Sequence, residues 1–196
     1  PLTLIREGAG WIKDLLSEED PAKIQNYDEI EAALKKTRSA TGRLYRYSFD
    51  MLGEGARTAA DAERYFRDYE RAIQAIGAAS KGRGVVDGNG ISVKLSALHP
   101  RYTWSQRERV LAELLPRLKT LCLQARRHDI GLNIDAEEAD RLELSLDLFA
   151  PLAEDAALAG WDGLGFVVQA YQKRCPFVID ELLELARRSG HRFMIR

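Results

Sequence analysis

The chain has 196 residues, of which 45% are hydrophobic and 30% are charged, and its formal net charge is −1. This length is sufficient for one hydrophobic core in one or two domains, and the balanced charge excludes the basic surface of a nucleic-acid-binding domain. The two cysteines, Cys122 and Cys175, do not form a CxxC pair, which predicts neither a disulfide framework nor a cysteine metal site. No apolar run reaches the roughly 18 residues of a membrane span. We therefore expect a cytoplasmic protein, and we expect that these 196 residues make no contact with nucleic acid.

The N-terminal segment, residues 1–43, carries the weakest structural signal. Residues 11–16 are compatible with a short helix, and Asn26 and Glu29 have the spacing of a capping box. A helical stripe follows, formed by Ile30, Ala33, Leu34 and Thr37. We predict that residues 1–43 form a helical segment outside the main folding unit, and that the main unit spans residues 44–196.

The main unit contains five predicted strands, each marked by alternating or continuous apolar residues and bounded by turn residues. They are residues 44–50, 91–95, 130–135, 165–171 and 192–196.

The first two predicted helices have recognisable ends. The first begins at the N-cap residue Thr58 and ends at Gly77, and the second begins at Ser105. Pro116 falls inside the second helix, where we expect a break or a kink. The glycine-rich residues 81–90, between the first helix and the second strand, predict a loop.

The last two predicted helices follow the third and fourth strands. The third helix begins in an acidic turn after Asp135, although the alternating leucines of residues 142–148 imitate a strand. The fourth has Pro176 at its first position and ends at Gly190. Its predicted buried stripe consists of Val178, Ile179, Leu182, Leu183 and Ala186.

Strands that alternate with helices predict an α/β fold with a parallel sheet and right-handed crossovers. A polar residue closes each predicted strand: Asp50, Lys94, Asp135, Gln169 and Arg196. In an α/β barrel the carboxyl ends of all strands meet on the face that holds the active site. We therefore predict one shared site at this end of the sheet.

Lys94 allows two interpretations from the residues alone. It is either the Schiff-base lysine of an aldolase-like lyase or a member of an ion pair with Asp135 or Asp50. Metal catalysis is disfavoured, because the strand ends beside Asp135 carry Lys94, Gln169 and Arg196 rather than further carboxylates.

The sequence also indicates the class of cofactor that the strand-end residues suit. No G-x-G-x-x-G motif follows a predicted strand, so a Rossmann dinucleotide site is not supported. Gln169 offers an amide and Arg196 a guanidinium, which match the imide edge and a nitrogen of a planar ring. Groups of this kind tune bound flavins.

Four stretches of the main unit resemble the proline dehydrogenase domain of the bifunctional bacterial flavoenzyme proline utilization A. They are residues 45–54 (YRYSFDMLGE), 91–102 (ISVKLSALHPRY), 131–148 (GLNIDAEEADRLELSLDL) and 165–180 (GFVVQAYQKRCPFVID). The resemblance covers most of the chain but does not extend closely to residues 1–43.

The resemblance implies that residues 44–196 are the first five strands of a distorted (βα)8 barrel of the TIM type that binds FAD. It implies oxidation of L-proline to Δ1-pyrroline-5-carboxylate by hydride transfer to flavin N5. The flavin-binding residues that it implies are Asp135, Ala136, Val167, Gln169 and Arg196.

Individual roles are also implied by the resemblance. Arg196 donates near flavin N5, Gln169 holds the pyrimidine end of the ring, and Asp135 takes part in catalysis. Lys94 helps to bind the substrate carboxylate, with Asp50 beside it. Glu54 acts as a gate by pairing with an arginine of the last barrel helix.

The resemblance further predicts what lies outside these residues. The family continues with a cofactor loop and with an arginine pair that clamps the substrate carboxylate, whereas the chain begins at Pro1 and ends at Arg196. We expect a piece of a longer polypeptide that also contains the second half of the barrel and an aldehyde dehydrogenase module. We expect the piece alone to be inactive.

Several alternatives stay open at this stage. A membrane quinone is one candidate electron acceptor, with the protein peripheral on the inner face of the cell membrane. The alternatives to a proline dehydrogenase are a Schiff-base lyase that uses Lys94 and an inactive structural fragment.

Overall fold

The computed structural model describes residues 23–24, 30, 33–35, 46–51 and 55–196. Within them, six strands form one parallel sheet in sequential order. The strands are β1 Lys23–Ile24, β2 Ser48–Met51, β3 Gly90–Val93, β4 Leu132–Ile134, β5 Leu164–Phe166 and β6 Met194–Ile195. The α-helices of the main unit are α1 Ala59–Ser80, α2 Gly84–Asp87, α3 Leu95–Leu98, α4 Arg107–Arg127, α5 Leu142–Ala153 and α6 Cys175–Ser189.

The predicted α/β alternation and the parallel sheet are confirmed, and the five predicted strands correspond to β2 to β6. The strand β1 was not predicted, and it pairs in parallel with β2. Ile30, Ala33 and Leu34 belong to the main hydrophobic core. The prediction that the N-terminal segment lies outside the main unit is therefore wrong for these residues. Two residues of strand carry no periodicity, which explains why β1 escaped the sequence analysis.

The sheet has one apolar and one polar face, because successive side chains of a strand point to opposite sides. One set of alternating residues is apolar and fully buried among the helices: Phe49, Ile91, Val93, Leu132, Ile134 and Phe166. The other set carries Ser48 and Asp50 of β2, Ser92 of β3 and Asn133 of β4. The strand register places Asp50 beside Ser92, and Ser92 beside Asn133. The fold thus keeps the helices on one face and collects polar groups on the other.

Helix α1 begins as predicted but ends later. Thr58 and Asp61 form a reciprocal capping box, and the Thr58 hydroxyl lowers the pKa of the Asp61 carboxyl. The predicted end at Gly77 is wrong, since the helix continues to Ser80 and Lys81 caps it in a left-handed conformation. Gly77 is required by packing instead, because a Cβ atom there would overlap the ring of His128.

Helices α2 and α4 differ from prediction in their details. A turn of helix, α2, lies within the predicted glycine-rich loop. Ser105 does not cap α4, because a 3-10 turn over Trp104–Gln106 precedes the helix and the Ser105 hydroxyl contacts Thr103. Helix α4 runs unbroken through Pro116.

The structure confirms a helix rather than a strand for α5 and confirms that α6 ends at Gly190, whereas Pro176 is the second residue of α6 and not the first. Helix α5 spans the alternating leucines, and Gly190 caps α6 with a φ of 73°. The buried residues of α6 are Val178, Leu182 and Leu185, whereas Ile179 and Leu183 are exposed, contrary to prediction. Across the described ranges, no helix combines the length and the apolar character required to cross a membrane.

Gly165 of β5 lies where residues of the two neighbouring strands approach it closely on the polar face of the sheet. A Cβ atom there would overlap Oδ1 of Asn133 and would lie 2.7 Å from the carbonyl oxygen of Met194. The absence of a side chain on β5 therefore allows Asn133 of β4 and the backbone of β6 to approach it from both sides.

We predict that Gly165→Ala destabilises the protein by about 1–3 kcal/mol, the usual cost of overpacking a filled interior. The midpoint of urea-induced unfolding should fall accordingly. Asn133→Ala in the same chain should recover only part of the loss, because the Met194 carbonyl remains in place. A Gly165→Ala protein with an unchanged midpoint would show that β4 and β6 separate without cost.

Candidate functional site

The carboxyl ends of the strands bring charged side chains together. Lys94, directly after β3, places its Nζ atom 2.5 Å and 2.6 Å from the two carboxylate oxygens of Asp50 in β2. The same Nζ atom lies 3.4 Å from Oδ2 of Asp135, directly after β4. Lys94 is thus shared between two carboxylates from the strands on either side, and the three strand ends are joined by charge.

Arg196 extends this cluster to β6. Its Nη2 atom donates to Oδ1 of Asp135 at 2.5 Å, and its Nη1 atom donates to Oγ of Ser92 at 3.1 Å. The Asp135 side chain is only 8% exposed, whereas that of Arg196 is 53% exposed. Asp135 is therefore buried between two cations, one from the end of β3 and one from the end of β6.

The geometry around Lys94 corresponds to the ion-pair interpretation rather than to a Schiff-base lysine. A lysine nucleophile must reach the carbonyl of its substrate as a neutral amine. Here Asp50 and Asp135 both stabilise the ammonium form, and the backbone N–H of Lys94 donates to the hydroxyl of Tyr69 at 3.1 Å. The two carboxylates stabilise the positive charge of the Lys94 side chain, and the Tyr69 contact fixes the Lys94 backbone.

Gln169 lies beside the cluster and is positioned through the turn after β4. Its Nε2 atom donates to the backbone oxygen of Glu137 at 3.0 Å, and its Oε1 atom accepts from Gln172. The Glu137 carboxylate accepts from the backbone N–H of Ser96 at 3.1 Å and pairs with Arg141 at 3.0 Å.

Glu137 therefore ties the loops after β3, β4 and β5 together, a role that the sequence analysis did not assign to it. The sequence signal was the run of carboxylates from residue 135 to residue 140. Their number obscured which one turns inward, because Glu138 and Asp140 are exposed while Glu137 is half-buried.

An open cleft of about 690 Å³ lies over this end of the sheet. Lys94, Ala136 and Gln169 line it together with Glu137 and Arg141. This volume is within the range of small-molecule and cofactor sites. Two of the residues predicted from the strand ends, Lys94 and Gln169, thus line this cleft.

The wall of the cleft is ordered by buried polar contacts. His99 accepts the backbone N–H of Arg101 at Nδ1, so its Nε2 carries the proton that faces Glu113 at 3.1 Å. Arg109 and then His99 lower the pKa of the Glu113 carboxyl through hydrogen bonds. Burial raises the pKa of the Tyr102 hydroxyl far above its ordinary range, so Tyr102 stays neutral against the wall.

Val167 is a predicted site residue that lies outside the charged cluster. Val167 donates its backbone N–H to the oxygen of Ile134 at 3.0 Å and lies with Ala136 and Gln169 in a narrow crevice towards α6. Glu54, the predicted gate, lies outside the described residues. Among the residues that the structure does describe, no group of three or more His, Cys, Asp or Glu side chains could hold a metal ion.

Comparison with known proteins identifies the family of this chain. Residues 33–196 match the proline dehydrogenase family. The chain is 57% identical over 193 residues to the bifunctional protein PutA of Klebsiella aerogenes and 56% identical to that of Escherichia coli K12. Both alignments cover 98% of this chain and 14% of the relative. A 168-residue alignment with PutA of Rhizobium meliloti shows 62% identity and covers 86% of this chain and 13% of that protein.

Solved structures agree with these sequence relatives. A crystal structure of a Bradyrhizobium japonicum proline utilization A variant superposes with a TM-score of 0.78 at 50% identity, over 89% of this chain and 17% of that chain. A structure of proline utilization A with proline bound in remote sites gives a TM-score of 0.78 at 51% identity, over 88% and 17% of the two chains. The chain spans about one-seventh of the length of its curated relatives. The resemblance found in the sequence is confirmed, and alignments that cover 98% of the chain extend it into residues 1–43, where no close match was expected. The chain belongs to the proline dehydrogenase family.

Proposed function

We propose that this chain supplies half of the active site of an FAD-dependent proline dehydrogenase that oxidises L-proline to Δ1-pyrroline-5-carboxylate. The observation that carries the proposal is the cluster of Asp50, Lys94, Asp135 and Arg196 at adjacent strand ends, beside the cleft lined by Gln169. Membership of the proline dehydrogenase family supports the same reaction.

The residues present fit a flavin. The guanidinium of Arg196 has donors beyond the two that bind Ser92 and Asp135, which suit a ring nitrogen, and the second N–H and the second lone pair of the Gln169 amide suit an imide edge. Ala136 and Val167 supply apolar surface beside Gln169. Bound FAD would supply the hydride acceptor for carbon C5 of proline at its N5 atom.

The charged residues of the chain then have separate tasks. Lys94 is fixed in direction by Asp50 and Asp135, so its positive charge is available at one defined point for a substrate carboxylate. Asp135 holds Arg196 in turn, and Arg196 provides positive charge where negative charge develops during the reaction. Positioned charges of this kind require no reorganisation during the chemical step.

The complete fold that we propose is a distorted (βα)8 barrel, of which this chain contributes the first half. The sequential parallel order of β2 to β6 supports it, as does the collection of polar side chains at the carboxyl ends of these strands. The remaining strands, the residues that clamp the substrate carboxylate and an aldehyde dehydrogenase module would belong to the same longer polypeptide. The role assigned to Glu54 and an electron acceptor such as a membrane quinone, at the inner face of the membrane, stay part of this proposal.

The direct test uses the intact polypeptide purified from its host. We expect flavin absorbance between 350 and 500 nm and anaerobic bleaching of that absorbance by L-proline but not by D-proline. A colourless protein would point to a structural role for the chain, and a yellow protein that proline does not bleach would contradict the substrate.

We predict that Asp135→Ala lowers kcat/KM for proline by about 10- to 100-fold while the protein still folds. The substitution removes a charged hydrogen bond worth about 1–3 kcal/mol, and it takes one carboxylate partner from both Lys94 and Arg196. Steady-state kinetics and circular dichroism measure the two effects. Asp140→Ala, an exposed carboxylate of the same turn, is the matched control. Wild-type turnover by the Asp135 variant would exclude the proposed role.

We predict that Arg196→Met lowers the flavin reduction potential and slows reduction of the flavin by proline. Methionine keeps much of the side-chain bulk but removes every donor. Loss of one charged hydrogen bond, about 1.5 kcal/mol or more, corresponds to a shift of about 30 mV for two electrons. Potentiometric titration and stopped-flow reduction test this, with the exposed Arg192→Met as control. An unchanged potential and rate would mean that Arg196 is structural.

A further inference from the structure

Ser92 is a polar residue of the sheet to which the proposed function assigns no role. It lies in the middle of β3 and is completely buried. Central strands of parallel sheets favour branched apolar residues, and a buried hydroxyl is costly unless it finds partners. A serine at this position packs less well than a branched apolar residue, and its buried hydroxyl group requires a specific contact.

The partners of Ser92 lie on both sides of it. Its Oγ atom lies 3.0 Å from Oγ of Ser48 in β2 and accepts from Nη1 of Arg196 at 3.1 Å. Because the guanidinium is positive, the Ser92 hydrogen points away from it, and either serine can be the donor in the contact with Ser48. The oxygen of Ser92 is thereby left facing Arg196, and its dipole has the favourable orientation for a cation.

The contact fixes a second direction of the Arg196 guanidinium. One terminal nitrogen, Nη2, is held by Asp135, and the other, Nη1, is held by Ser92. Two acceptors on two terminal nitrogens define the plane of the group, whereas Asp135 alone would leave it free to rotate about one bond. These contacts use two of the five donors of an arginine, so the group can still donate to a ligand.

We propose that Ser92 is a positioning residue that sets the plane of the Arg196 guanidinium towards the flavin, supported by Ser48. This role rests on the proposed function, because it acts only through Arg196. It also assigns different tasks to two residues of the site. Asp135 places a negative charge beside Arg196, and Ser92 orients the guanidinium through a neutral hydroxyl group.

The test compares Ser92→Ala with Ser92→Thr in the full-length flavoenzyme. The alanine variant should reduce its flavin with proline about tenfold more slowly and show a more negative flavin potential, with less than a twofold change in KM for proline. The threonine variant keeps the hydroxyl and should stay within about twofold of wild type. Ser80→Ala removes a buried hydroxyl of α1 that contacts no site residue, and it should behave as wild type.

The outcomes separate this role from the proposed function. If wild-type protein reduces its flavin with proline but Ser92→Ala leaves rate and potential unchanged, the positioning role is wrong and the function stands. Equal impairment of the alanine and threonine variants would also overturn the role, because packing rather than the hydroxyl would then be the cause. Wild-type protein without flavin, or without reduction by proline, overturns both proposals.

Discussion

Lys94 lies between the carboxylates of Asp50 and Asp135, and this shared cation joins the ends of three neighbouring strands. Without it, two carboxylates would face each other across a poorly solvated sheet end, at a cost that rises as the local dielectric constant falls. Arg196 repeats the arrangement on the other side of Asp135. Positive and negative groups therefore alternate from β2 to β6, and each charge is held by its neighbours. The rigidity of the site follows from this alternation rather than from any single strong bond.

This alternation of charges depends in turn on a sheet that has one apolar and one polar face. The apolar set of strand residues packs against the helices and fixes the register, since a slip by one residue would exchange the two faces. Gly165 contributes to the same result, because only a residue without a side chain allows Asn133 and Met194 to approach β5 so closely. The core thus determines which side chains reach the carboxyl end, and the charges then determine how they are oriented there.

Much of this arrangement could be predicted from the sequence, because strand periodicity and polar strand ends are local signals. Lys94 and Asp135 were found by their position at the end of apolar runs. The contacts of Ser92 and Glu137 could not be found in this way, because they depend on register and on loops far apart in the chain. The end of α1 was misplaced for a related reason: Gly77 serves the packing of His128, and a glycine that serves packing cannot be distinguished locally from one that ends a helix.

The balance of charge at the site also limits what these residues can do alone. Two cations and two carboxylates cancel, so an incoming carboxylate meets little net attraction from the cluster. Lys94 in particular divides its field between Asp50 and Asp135 before a substrate arrives. Firm binding of an amino-acid carboxylate would therefore require additional positive groups on the open side of the cleft. In the proposed site Lys94 would then be one fixed contact among several, and its pairing with two aspartates would favour precise direction over binding strength.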